Sequence, residues 1–488
     1  MTPTDEQAAA ADAFDDGGHL ALQAGAGTGK TSTLTFIAAR TKRRGRYLAF
    51  NRAIANDAAS RFPPTVTCKT VHSMAYGAVG HRYQARLNAP RQAGWKTGEA
   101  LGITRPVHIG TREVSARALS YAALRTVTRF CHSSDTVISS RHVPRMRGLE
   151  DAETHAVLSQ TVLPFAQSAW ADLQHPGQGV VRFDHDHYLK IWALSQPAIE
   201  ADFLLLDEAQ DTNPVVEQVF NAQRTHAQLI MVGDSAQAIY GWRGARDVMT
   251  SFDATPLTLS QSFRFGPRLA QEANRWLAIA DAPIRLTGTE AIASELGSLE
   301  HPDAVLCRTN VGAITHVLRH LEKGHRVALA GGGSSLRALA GAARDLKEGR
   351  RTTHPELLLF QTWADLQEYA QQDPSGGDLQ PFVDLVDTHG TDAILAAVNR
   401  LTDEEHAQVT ISTAHKAKGR EWPSVLIAED FAPPKDLPEP DENGRPVPGP
   451  IDDSEARLAY VAVTRARQRL DTAGLAWVDQ HPGGNPAP

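Results

Sequence analysis

The chain has 488 residues, of which 42% are hydrophobic and 22% charged, so it can bury a large core and should divide into more than one globular unit. Its formal net charge of −7 argues against a protein that coats nucleic acid electrostatically, but it is compatible with a local groove that grips a few nucleotides. The sequence has no apolar run of about 18 residues and no basic, then apolar N-terminus, so we expect a cytoplasmic protein with neither a membrane span nor a signal peptide.

Apolar runs that alternate with helical stretches predict the fold class. An apolar run from residue 20, a glycine-rich turn, a helical stretch at 30–40 and an apolar run at 47–50 indicate strand, loop, helix and strand. Further apolar runs are found at 203–206, 229–232, 304–307, 326–330, 409–412 and 425–428. This alternation predicts an α/β protein with parallel, doubly wound sheets, whose ligands bind beyond the carboxyl ends of the strands.

The loop after the first strand predicts a site for nucleotide phosphates. Its members are Ala24, Gly25, Ala26, Gly27, Thr28, Gly29, Lys30 and Thr31. Glycines let backbone N–H groups curl around phosphate oxygens, and the following helix N-terminus adds positive potential. We expect Lys30 to meet the β- and γ-phosphates and the Thr31 hydroxyl to ligate Mg²⁺. Ala24 stands where the strict pattern has glycine.

A later strand ends in two carboxylates. The buried run at 203–206 is followed directly by Asp207 and Glu208. Phosphoryl-transfer sites need one carboxylate to hold the metal and another group to orient the attacking water. The sequence therefore predicts Asp207 as a second Mg²⁺ ligand and Glu208 as the residue that polarises water.

Other candidate sites are weaker. The cysteines, Cys68, Cys131 and Cys307, are too far apart for a zinc knuckle or a disulfide framework. The run Asp-His-Asp-His at 184–187 lacks a distant partner set, so local packing or contact with a nucleic-acid strand is favoured over a metal site. Basic runs at 40–46 and 141–147 are interpreted as solvated faces.

Five motifs in chain order resemble those of the UvrD/Rep helicases of superfamily 1. Asp-Glu-Ala-Gln-Asp at 207–211 and the run at 233–245 resemble motifs II and III. Gln-Ser-Phe-Arg at 261–264, the run at 413–422 and Tyr-Val-Ala-Val-Thr-Arg-Ala at 460–466 resemble motifs IV, V and VI. The resemblance implies two RecA-like P-loop NTPase domains, each a parallel sheet flanked by helices and each with a helical insert.

The resemblance also sets the expected domain boundaries. They are 1–80 and 194–256 for the first RecA-like domain, 81–193 for its insert, 257–333 and 406–479 for the second, 334–405 for a reduced insert and 480–488 for a disordered tail. A more specific likeness is to the helicase region of F-box DNA helicases, carried by residues 50–55, 68–76, 261–266 and 306–310. An F-box is not evident, so we do not expect recruitment of a ubiquitin ligase.

The family resemblance assigns three residues around the nucleoside and one to the phosphate loop. It gives the adenine edge to Gln7, a stacking platform under the adenine to Phe263 and the ribose to Glu421. Ser32 extends the phosphate loop at a place where many relatives have arginine, so one additional phosphate or base contact is expected to be missing.

Three further residues are assigned to the γ-phosphate. The resemblance makes Gln237 a sensor of this phosphate and makes Arg264 and Arg465 arginine fingers, which neutralise charge in the transition state. Because the fingers belong to one predicted domain and Lys30 and Glu208 to the other, hydrolysis is expected to require closure of the domains, and each cycle would shift them along a strand.

A third group is assigned to nucleic acid. Phe50, Tyr240 and Trp242 match positions where relatives stack bases, and Asn51, Thr70, His72 and His415 match positions of backbone contacts. Each stacked base contributes roughly 1–3 kcal/mol whatever its identity, as a translocating motor requires.

The resemblance implies a 3′-to-5′ DNA helicase that uses ATP and Mg²⁺, acts on single-stranded DNA and 3′-tailed duplex DNA, and works as a monomer without a membrane. Recombinase filaments or other repair proteins are expected partners, and the protein would be nucleoid-associated when on DNA. One alternative is a DNA-stimulated ATPase that strips protein filaments from single strands with little unwinding, which the short second insert favours. Another, a nucleotide-dependent binding module without hydrolysis, is disfavoured because Lys30, Glu208, Gln237, Arg264 and Arg465 are all present.

Overall fold

The computed structural model describes residues 3–89, 94–110, 112–146, 149, 151–239, 248–249, 252–354, 357, 360–372, 379–440 and 442–485. The contacts within the chain divide it into two compact units. The first comprises Met1–Gln23 and Lys30–Leu259, and the second comprises Ala24–Gly29 and Ser260–Pro488. Among the described helices, none combines the length and the apolar character that a membrane crossing requires.

The first unit is built on a six-stranded sheet with the order β3-β2-β6-β7-β1-β8. Its strands are β1 (Leu20–Ala24), β2 (Gly45–Ala49), β3 (Val66–Thr70), β6 (Phe203–Leu206), β7 (Gln228–Gly233) and β8 (Thr255–Leu259), and a separate antiparallel hairpin consists of β4 (Val107–Ile109) and β5 (Arg112–Val114). The pairings of β1 with β7, β7 with β6, β6 with β2 and β2 with β3 are all parallel. The carboxyl ends of these strands therefore share one edge.

Ten helices accompany these strands among the described residues. They are α1 (Asp5–Asp15), α2 (Lys30–Ala39), α3 (Arg52–Arg61), α4 (Val71–Ala78), α5 (Gln84–Leu87), α6 (Gly94–Ala100), α7 (Ala116–Cys131), α8 (Ala152–Leu173), α9 (His185–Leu194) and α10 (Pro214–Asn221). Side-chain caps begin several of them: Asn51 caps α3, Thr70 caps α4 and Asp184 caps α9. Such caps satisfy backbone N–H groups that a helix leaves without a partner in its first turn.

The segment between α4 and β6 is mainly helical and packs in two places. One cluster, which includes Leu119, Ala122, Leu158 and Val162, joins α7 to α8 and the hairpin. The helix α9 returns to the sheet and packs against α4, so that its residues enter the larger core beneath β6 and β7. The end of α7, the start of α9 and the start of α4 are thereby brought to one place.

The second unit has its own six-stranded sheet with the order β11-β16-β15-β12-β14-β13, and its pairings are parallel. The strands of this unit are β9 (Gln261–Ser262), β10 (Thr287–Gly288), β11 (Glu295–Leu296), β12 (Ala304–Cys307), β13 (Val327–Leu329), β14 (Val409–Thr413), β15 (Trp422–Ile427) and β16 (Ala466–Asp471). Strands β9 and β10 form a short parallel pair of their own.

Its helices are α11 (Pro267–Ile279), α12 (Asn310–Glu322), α13 (Ser334–Lys347), α14 (Trp363–Gln372), α15 (Gln380–Asn399), α16 (Ala414–Ala417) and α17 (Asp453–Val463). Helices α13, α14 and α15 share one hydrophobic core with α12 and with strands β12 and β14. Gly390 has φ +76° inside α15 and kinks that helix, a conformation that glycine adopts without a steric penalty.

The predicted α/β class with parallel sheets flanked by helices is confirmed. Each apolar run that we interpreted as a strand overlaps one and extends beyond it by at most one residue at either end. Strands β6 and β7 are buried along their whole length because both faces of a parallel sheet are covered. The structure adds strands that the sequence did not predict, among them the hairpin of β4 and β5, the strands β3 and β8 and the charged strand β16. The four-part division into two domains and two inserts stays a prediction.

Candidate nucleotide site

A buried carboxylate lies at the carboxyl end of β6 in the first unit. Asp207 Oδ2 accepts hydrogen bonds from the Thr31 hydroxyl at 2.9 Å and from the Tyr47 hydroxyl at 2.6 Å, while Oδ1 accepts from the Glu208 backbone N–H at 2.9 Å. The parallel pairing of β2 with β6 places Tyr47 opposite Leu205 and so beside the strand end. The two predicted metal ligands, Thr31 and Asp207, are therefore in direct contact.

Burial controls the ionisation of this group. Burial raises the pKa of Asp207, and the nearby charge of Glu208 raises it further, against the hydrogen bond from Tyr47 and the charge of Lys30. Burial and the charge of Asp207 raise the pKa of Tyr47 far above its usual value, so its hydroxyl remains a donor. Hydroxyl and carboxylate oxygens are the donors that Mg²⁺ prefers, so the residues present fit that ion.

Glu208 lies beside Asp207 in an unusual backbone conformation. Its φ of 52° and ψ of 45° are left-handed, a region that residues with a side chain rarely adopt. One carboxylate oxygen lies 3.8 Å from Lys30 Nζ, and the other accepts a hydrogen bond from Gln210 Nε2 at 2.6 Å. The chain direction and two polar contacts thus hold this carboxylate next to the lysine of the phosphate loop.

Gln210 connects this carboxylate to the next strand end. Its Oε1 accepts a hydrogen bond from the Asp234 backbone N–H at 2.9 Å, directly after β7. The Asp234 carboxylate in turn accepts from Gln237 Nε2 at 2.6 Å, and both of these side chains are buried. The predicted γ-phosphate sensor Gln237 therefore belongs to one hydrogen-bonded chain with Glu208.

Residues 24–29 of the phosphate loop are grouped with the second unit by their contacts. Gly27 and Gly29 both have φ near +77°, which the tight curl of the loop requires. The Thr28 hydroxyl donates to the Gly25 carbonyl at 2.9 Å and closes the loop on itself. A Cβ on Gly27 would lie 2.5 Å from Ser262 Oγ and 2.6 Å from Arg264 Cβ, so a larger residue does not fit there.

Three groups of the second unit bind the backbone of the phosphate loop. The Tyr460 hydroxyl accepts from the Ala26 N–H at 3.0 Å, and the Ser262 hydroxyl donates to the Ala26 carbonyl at 2.9 Å. The Phe263 N–H donates to the Gly27 carbonyl at 2.8 Å, while the Phe263 ring is 41% exposed. The predicted adenine platform therefore lies next to the loop with its ring available for stacking.

Arg264 and Glu421, which the resemblance assigns to the γ-phosphate and the ribose, form an ion pair. Arg264 Nε donates to Glu421 Oε2 at 2.7 Å, and Arg264 Nη1 donates to the Thr464 carbonyl at 3.0 Å. Arg467 lies 3.8 Å from the other Glu421 oxygen. Two guanidinium groups therefore share one carboxylate in this unit, which leaves a net positive charge.

Arg465 is buried rather than presented at a surface. It is 1% exposed, and its Nε donates to the Val461 carbonyl at 2.8 Å. Its Nη2 donates to the Thr464 hydroxyl at 2.9 Å, and its Nη1 lies 3.3 Å from the Arg420 carbonyl. Both predicted arginine fingers contact Thr464, but the side chain of Arg465 is buried.

Two other predicted nucleotide contacts have local partners. Gln7 forms a capping box with Thr4 at the start of α1, and its Nε2 donates to the Thr33 hydroxyl at 3.0 Å. Arg61 on α3 donates to the Ser32 hydroxyl at 3.0 Å. A guanidinium therefore lies at the position where the sequence lacks the arginine of many relatives.

The predicted nucleic-acid residues of the first unit lie at the ends of two neighbouring strands. Ala49 of β2 is in register with Thr70 of β3, so Phe50 and Asn51 lie beside Thr70 and His72. We call Phe50, Asn51, Thr70 and His72 the strand-end edge. The Phe50 ring is 52% exposed, whereas the Asn51 and Thr70 side chains accept hydrogen bonds from backbone N–H groups of α3 and α4.

The remaining nucleic-acid candidates are not assembled with this edge. His415 is half-buried in α16 of the second unit. Tyr240 and Trp242 lie outside the described residues. Among the basic runs, Arg40 pairs with Asp12 and Asp15, and Arg44 lies 3.7 Å from Asp202, which agrees with their interpretation as solvated faces.

The Asp-His-Asp-His run has separate structural roles. Asp184 caps α9 and its backbone N–H donates to His187 Nδ1, while His185 lies 3.1 Å from the Tyr188 hydroxyl. Asp186 contacts two histidines from other helices. In the part of the chain that the structure describes, no group of three or more histidine, cysteine or carboxylate side chains is arranged to hold a metal ion.

Sequence reasoning missed Tyr47 and Gln210, which orient the two carboxylates. The one available signal for Tyr47 was a polar-tipped residue inside an otherwise apolar strand, because a buried tyrosine hydroxyl needs a partner. Gln210 lay within the quoted motif, but its contacts to Glu208 and Asp234 depend on the neighbouring strand.

Two family descriptions match the chain. The AAA domain family matches residues 7–243, and the UvrD-like helicase C-terminal domain family matches residues 358–472. The first matched segment contains the phosphate loop, Asp207 and Glu208, and the second contains Glu421 and Arg465.

Among curated relatives, F-box DNA helicase protein 1 of Schizosaccharomyces pombe is 30% identical, over 92% of this chain and 55% of that protein. F-box DNA helicase 1 of Gallus gallus is 29% identical, over 92% of this chain and 46% of that protein. ATP-dependent DNA helicase UvrD2 of Mycobacterium tuberculosis is 26% identical, over 96% of this chain and 78% of that protein. The chain thus spans about half the length of the two F-box relatives.

Proposed function

Because the chain belongs to the UvrD-like group of superfamily 1 helicases, we propose that it hydrolyses ATP to move along single-stranded DNA and to unwind duplex DNA. The relatives that are named DNA helicases support this activity. We further propose 3′-to-5′ polarity, a role in DNA repair, recombination or replication, and action as a monomer. The polarity rests on the family resemblance.

One observation carries the proposal: the contact of Thr31 with Asp207 beside the Lys30–Glu208 pair. A metal-binding carboxylate, a threonine hydroxyl, a lysine and a second carboxylate are the parts that ATP hydrolysis needs. In the first unit they lie within hydrogen-bonding or ion-pair distance of one another. Burial of Asp207 beside a second carboxylate raises its pKa and is unfavourable for folding. Such an arrangement is typical of a functional site.

The chain's own residues would share the work at this site. Backbone N–H groups of the glycine-rich loop bind the phosphates, and Lys30 neutralises their negative charge. Glu208, held by Gln210, orients a water molecule and accepts its proton. Thr31 and Asp207 would hold Mg²⁺, which supplies electrostatic stabilisation of the phosphate oxygens. Arg264 is proposed to add positive charge to the γ-phosphate.

The strand-end edge is the proposed place for single-stranded DNA in the first unit. Phe50 offers an exposed ring on which a base of any identity can stack. Asn51 and Thr70 cap helices through their acceptor oxygens, which leaves the Asn51 amide N–H and the Thr70 hydroxyl proton as donors to a phosphate backbone. His415 is proposed as a backbone contact of the second unit.

A second candidate function is removal of protein filaments, including recombinase filaments, from single-stranded DNA with little unwinding. The observation that favours it is the second insert. Its described helices α13, α14 and α15 are packed into the core of their unit. The family resemblance implies that a large insert at this place serves unwinding and partner contact, so a reduced insert favours filament removal over unwinding.

The test measures ATP hydrolysis with and without a single-stranded oligonucleotide, and then strand displacement from 3′-tailed and 5′-tailed duplexes in the same reactions. Glu208→Gln is the site variant, and Glu99→Gln, a change of the same chemistry at an exposed position on α6, is its matched control. We expect Glu208→Gln to lower hydrolysis by about 10²–10⁴-fold, the usual contribution of a positioned general base, and Glu99→Gln to hydrolyse at the wild-type rate.

Each outcome decides between the candidates. DNA-stimulated hydrolysis with displacement only from the 3′-tailed duplex supports the helicase and its polarity. Stimulated hydrolysis without displacement, together with release of a bound protein from the strand, supports filament removal. Hydrolysis that Glu208→Gln leaves at the wild-type rate would exclude the proposed site.

A further inference from the structure

One carboxylate is shared by two histidines beside the strand-end edge. The Nε2 of His72, in the first turn of α4, lies 3.0 Å from Asp186 Oδ1, and the Nε2 of His132, at the end of α7, lies 2.8 Å from Asp186 Oδ2. The histidines are 114 and 54 residues away from Asp186 along the chain. Only the return of α9 onto α4 brings the three together.

Asp186 stays ionised in this arrangement. Burial alone would raise the pKa of Asp186, but the hydrogen bonds from His132 and His72 and the charges of these rings together hold the pKa far below its usual value. Each carboxylate oxygen accepts one ring N–H. A single negative charge therefore faces two imidazoles, and each of them has only Nδ1 left for another partner.

The state of Nδ1 decides what His72 can contact. A neutral ring that donates from Nε2 to Asp186 has an acceptor lone pair at Nδ1, which repels a phosphate oxygen. A doubly protonated ring donates from Nδ1 as well and carries positive charge, which attracts a phosphate oxygen. A backbone contact by His72 therefore requires the second proton.

The two histidines lie at opposite kinds of helix end. His132 is the C-terminal cap of the 16-residue helix α7, where the helix dipole favours a cation. His72 follows the N-cap Thr70, where the same effect disfavours a cation. Asp186 supplies the charge that offsets this penalty for His72, and His132 competes for the same carboxylate.

The surroundings of His72 point to a nucleic-acid backbone. The His72 side chain is 38% exposed, Lys69 is exposed three residues earlier, and the exposed Phe50 ring follows the neighbouring strand. Positive charge beside an exposed aromatic ring is the combination that binds single strands irrespective of sequence. The other titratable or charged groups around the cluster are Tyr76 on α4, Cys131 on α7, Arg86, and Asp184, His185, His187, Tyr188 and Lys190 on α9 or at its cap.

We propose that Asp186 is a positioning residue that enables His72 to bind the phosphate backbone of single-stranded nucleic acid as an imidazolium, and that His132 competes for Asp186 and so sets the pH range of this contact. The inference rests on the proposed function, because it needs a single strand on the strand-end edge. It adds the first insert, through His132, to the residues that control this contact.

The test measures the Kd of the full-length chain for a fluorescent oligothymidine from about pH 5.5 to about pH 8.5 at constant ionic strength, a range that covers imidazole titration. Wild-type binding should weaken as pH rises, because His72 loses its charge. Asp186→Asn should move the midpoint of this change to lower pH, because the carboxylate that faces the His72 ring is replaced by a neutral amide. His132→Asn should move the midpoint to higher pH, because Asp186 then serves His72 alone.

Controls separate positioning from a general structural effect. His72→Asn should remove the pH-dependent part of binding, and adding Asp186→Asn to it should change Kd by less than about twofold, as expected for residues that act as one unit. His108→Asn, which removes another histidine near a carboxylate on the hairpin of β4 and β5, should bind like the wild type. A ¹³C-histidine NMR titration of the wild-type chain, with His72→Asn for assignment, needs no folded Asp186 variant and should show a higher pKa for His72 when oligothymidine is bound.

Opposite shifts of the midpoint in Asp186→Asn and His132→Asn support the inference. Shifts in the same direction, an Asp186→Asn effect that persists in the His72→Asn background, or a His72 pKa that oligothymidine does not raise would overturn it while leaving the proposed function in place. A wild-type chain that binds no oligothymidine at any pH would overturn the proposed function and this inference together.

Discussion

The functional side chains of the carboxylate region, in the first unit, and of the arginine region, in the second unit, are positioned by different kinds of partner. In the first, Asp207 and Glu208 are oriented by Tyr47 and Gln210, which are neutral donors and not assigned to the nucleotide. In the second, Arg264 is held by Glu421, so two groups that we assign to the nucleotide bind each other.

The two regions should therefore respond differently when a ligand binds. Neutral donors can remain in place when an ion or a phosphate binds, because they lose no charge partner. An ion pair between two assigned groups must open before both can bind the nucleotide, and the cost is modest because Glu421 is 42% exposed. The carboxylates are therefore already in position before the ligand binds. Arg264 and Glu421 must instead leave each other when they bind the nucleotide.

The largest effect is expected for Arg264→Ala. If this guanidinium leaves Glu421 for the γ-phosphate, its loss should lower kcat for DNA-stimulated hydrolysis by about 10³-fold or more, the usual contribution of an arginine finger. The measurement is the hydrolysis rate at saturating ATP and oligonucleotide. Arg337→Ala, which removes an exposed arginine on α13 of the same unit, is the control. A variant that keeps more than about a tenth of the wild-type kcat would remove Arg264 from the mechanism.

A somewhat smaller effect is expected for Lys30→Ala. Loss of one preorganised charge at the phosphates should lower kcat/KM for ATP by about 10²–10³-fold. Steady-state kinetics with the exposed Lys96→Ala as control measures it. Near-normal kcat/KM would mean that the Lys30–Glu208 contact is structural and does not serve ATP.

Tyr47→Phe tests the positioning of the metal ligand. Partners that orient a metal ligand usually contribute about 10–100-fold to metal affinity, so the Mg²⁺ concentration for half-maximal hydrolysis should rise by that factor while kcat at saturating Mg²⁺ is kept. Tyr83→Phe, which removes another buried tyrosine hydroxyl bonded at 2.9 Å, should leave the Mg²⁺ requirement unchanged.

The same titration has a predicted pH dependence. The raised pKa of Asp207 means that its carboxyl takes up a proton at a higher pH than an exposed aspartate does, and that proton competes with Mg²⁺. The Mg²⁺ requirement should therefore increase as pH falls from about 8 to about 6, and more steeply in Tyr47→Phe, because the hydrogen bond that lowers the pKa of Asp207 is lost. A requirement that does not change with pH in either protein would contradict this account.

The smallest effect is expected for Glu421→Gln. The amide can still accept a hydrogen bond from a ribose hydroxyl but no longer holds Arg264 as an ion pair. Since exposed pairs contribute up to about 1 kcal/mol, the ratio of kcat/KM for ATP to that for 2′-deoxy-ATP should change by about fivefold or less, without a loss of kcat. Glu455→Gln, which breaks the Arg308–Glu455 pair of the same unit, is the matched control. A loss of kcat would mean that Glu421 positions Arg264 for the reaction.

The strands that could be predicted from the sequence are the ones that are buried on both faces. Strands β6 and β7 are apolar throughout because helices cover both faces of their sheet, and the sequence shows that directly. Strand β3 is an edge strand with alternating exposure, and β16 carries the exposed Arg467 and Arg469, so neither has an apolar run. Such strands are specified by their neighbours in the sheet rather than by their own composition.

The site residues that could be predicted from the sequence are those whose partners are close along the chain. Lys30 and Thr31 are identified by their neighbours in one loop, and Glu208 by the strand before it. Tyr47 acts on Asp207 across 160 residues, and Arg264 meets Glu421 across 157 residues. No local sequence pattern encodes such contacts. The family resemblance assigned a role to each residue but not its contacts, so it did not predict that Arg264 and Glu421 would pair.

The left-handed backbone of Glu208 records a conflict between folding and chemistry. A residue with a side chain is destabilised by about 1 kcal/mol in this conformation, and glycine is not. Stability alone would therefore favour glycine at the end of β6, and a selection for thermal resistance that ignored activity would be expected to arrive there. The carboxylate that stands there instead makes this corner a place where an engineered gain in stability would remove the reaction.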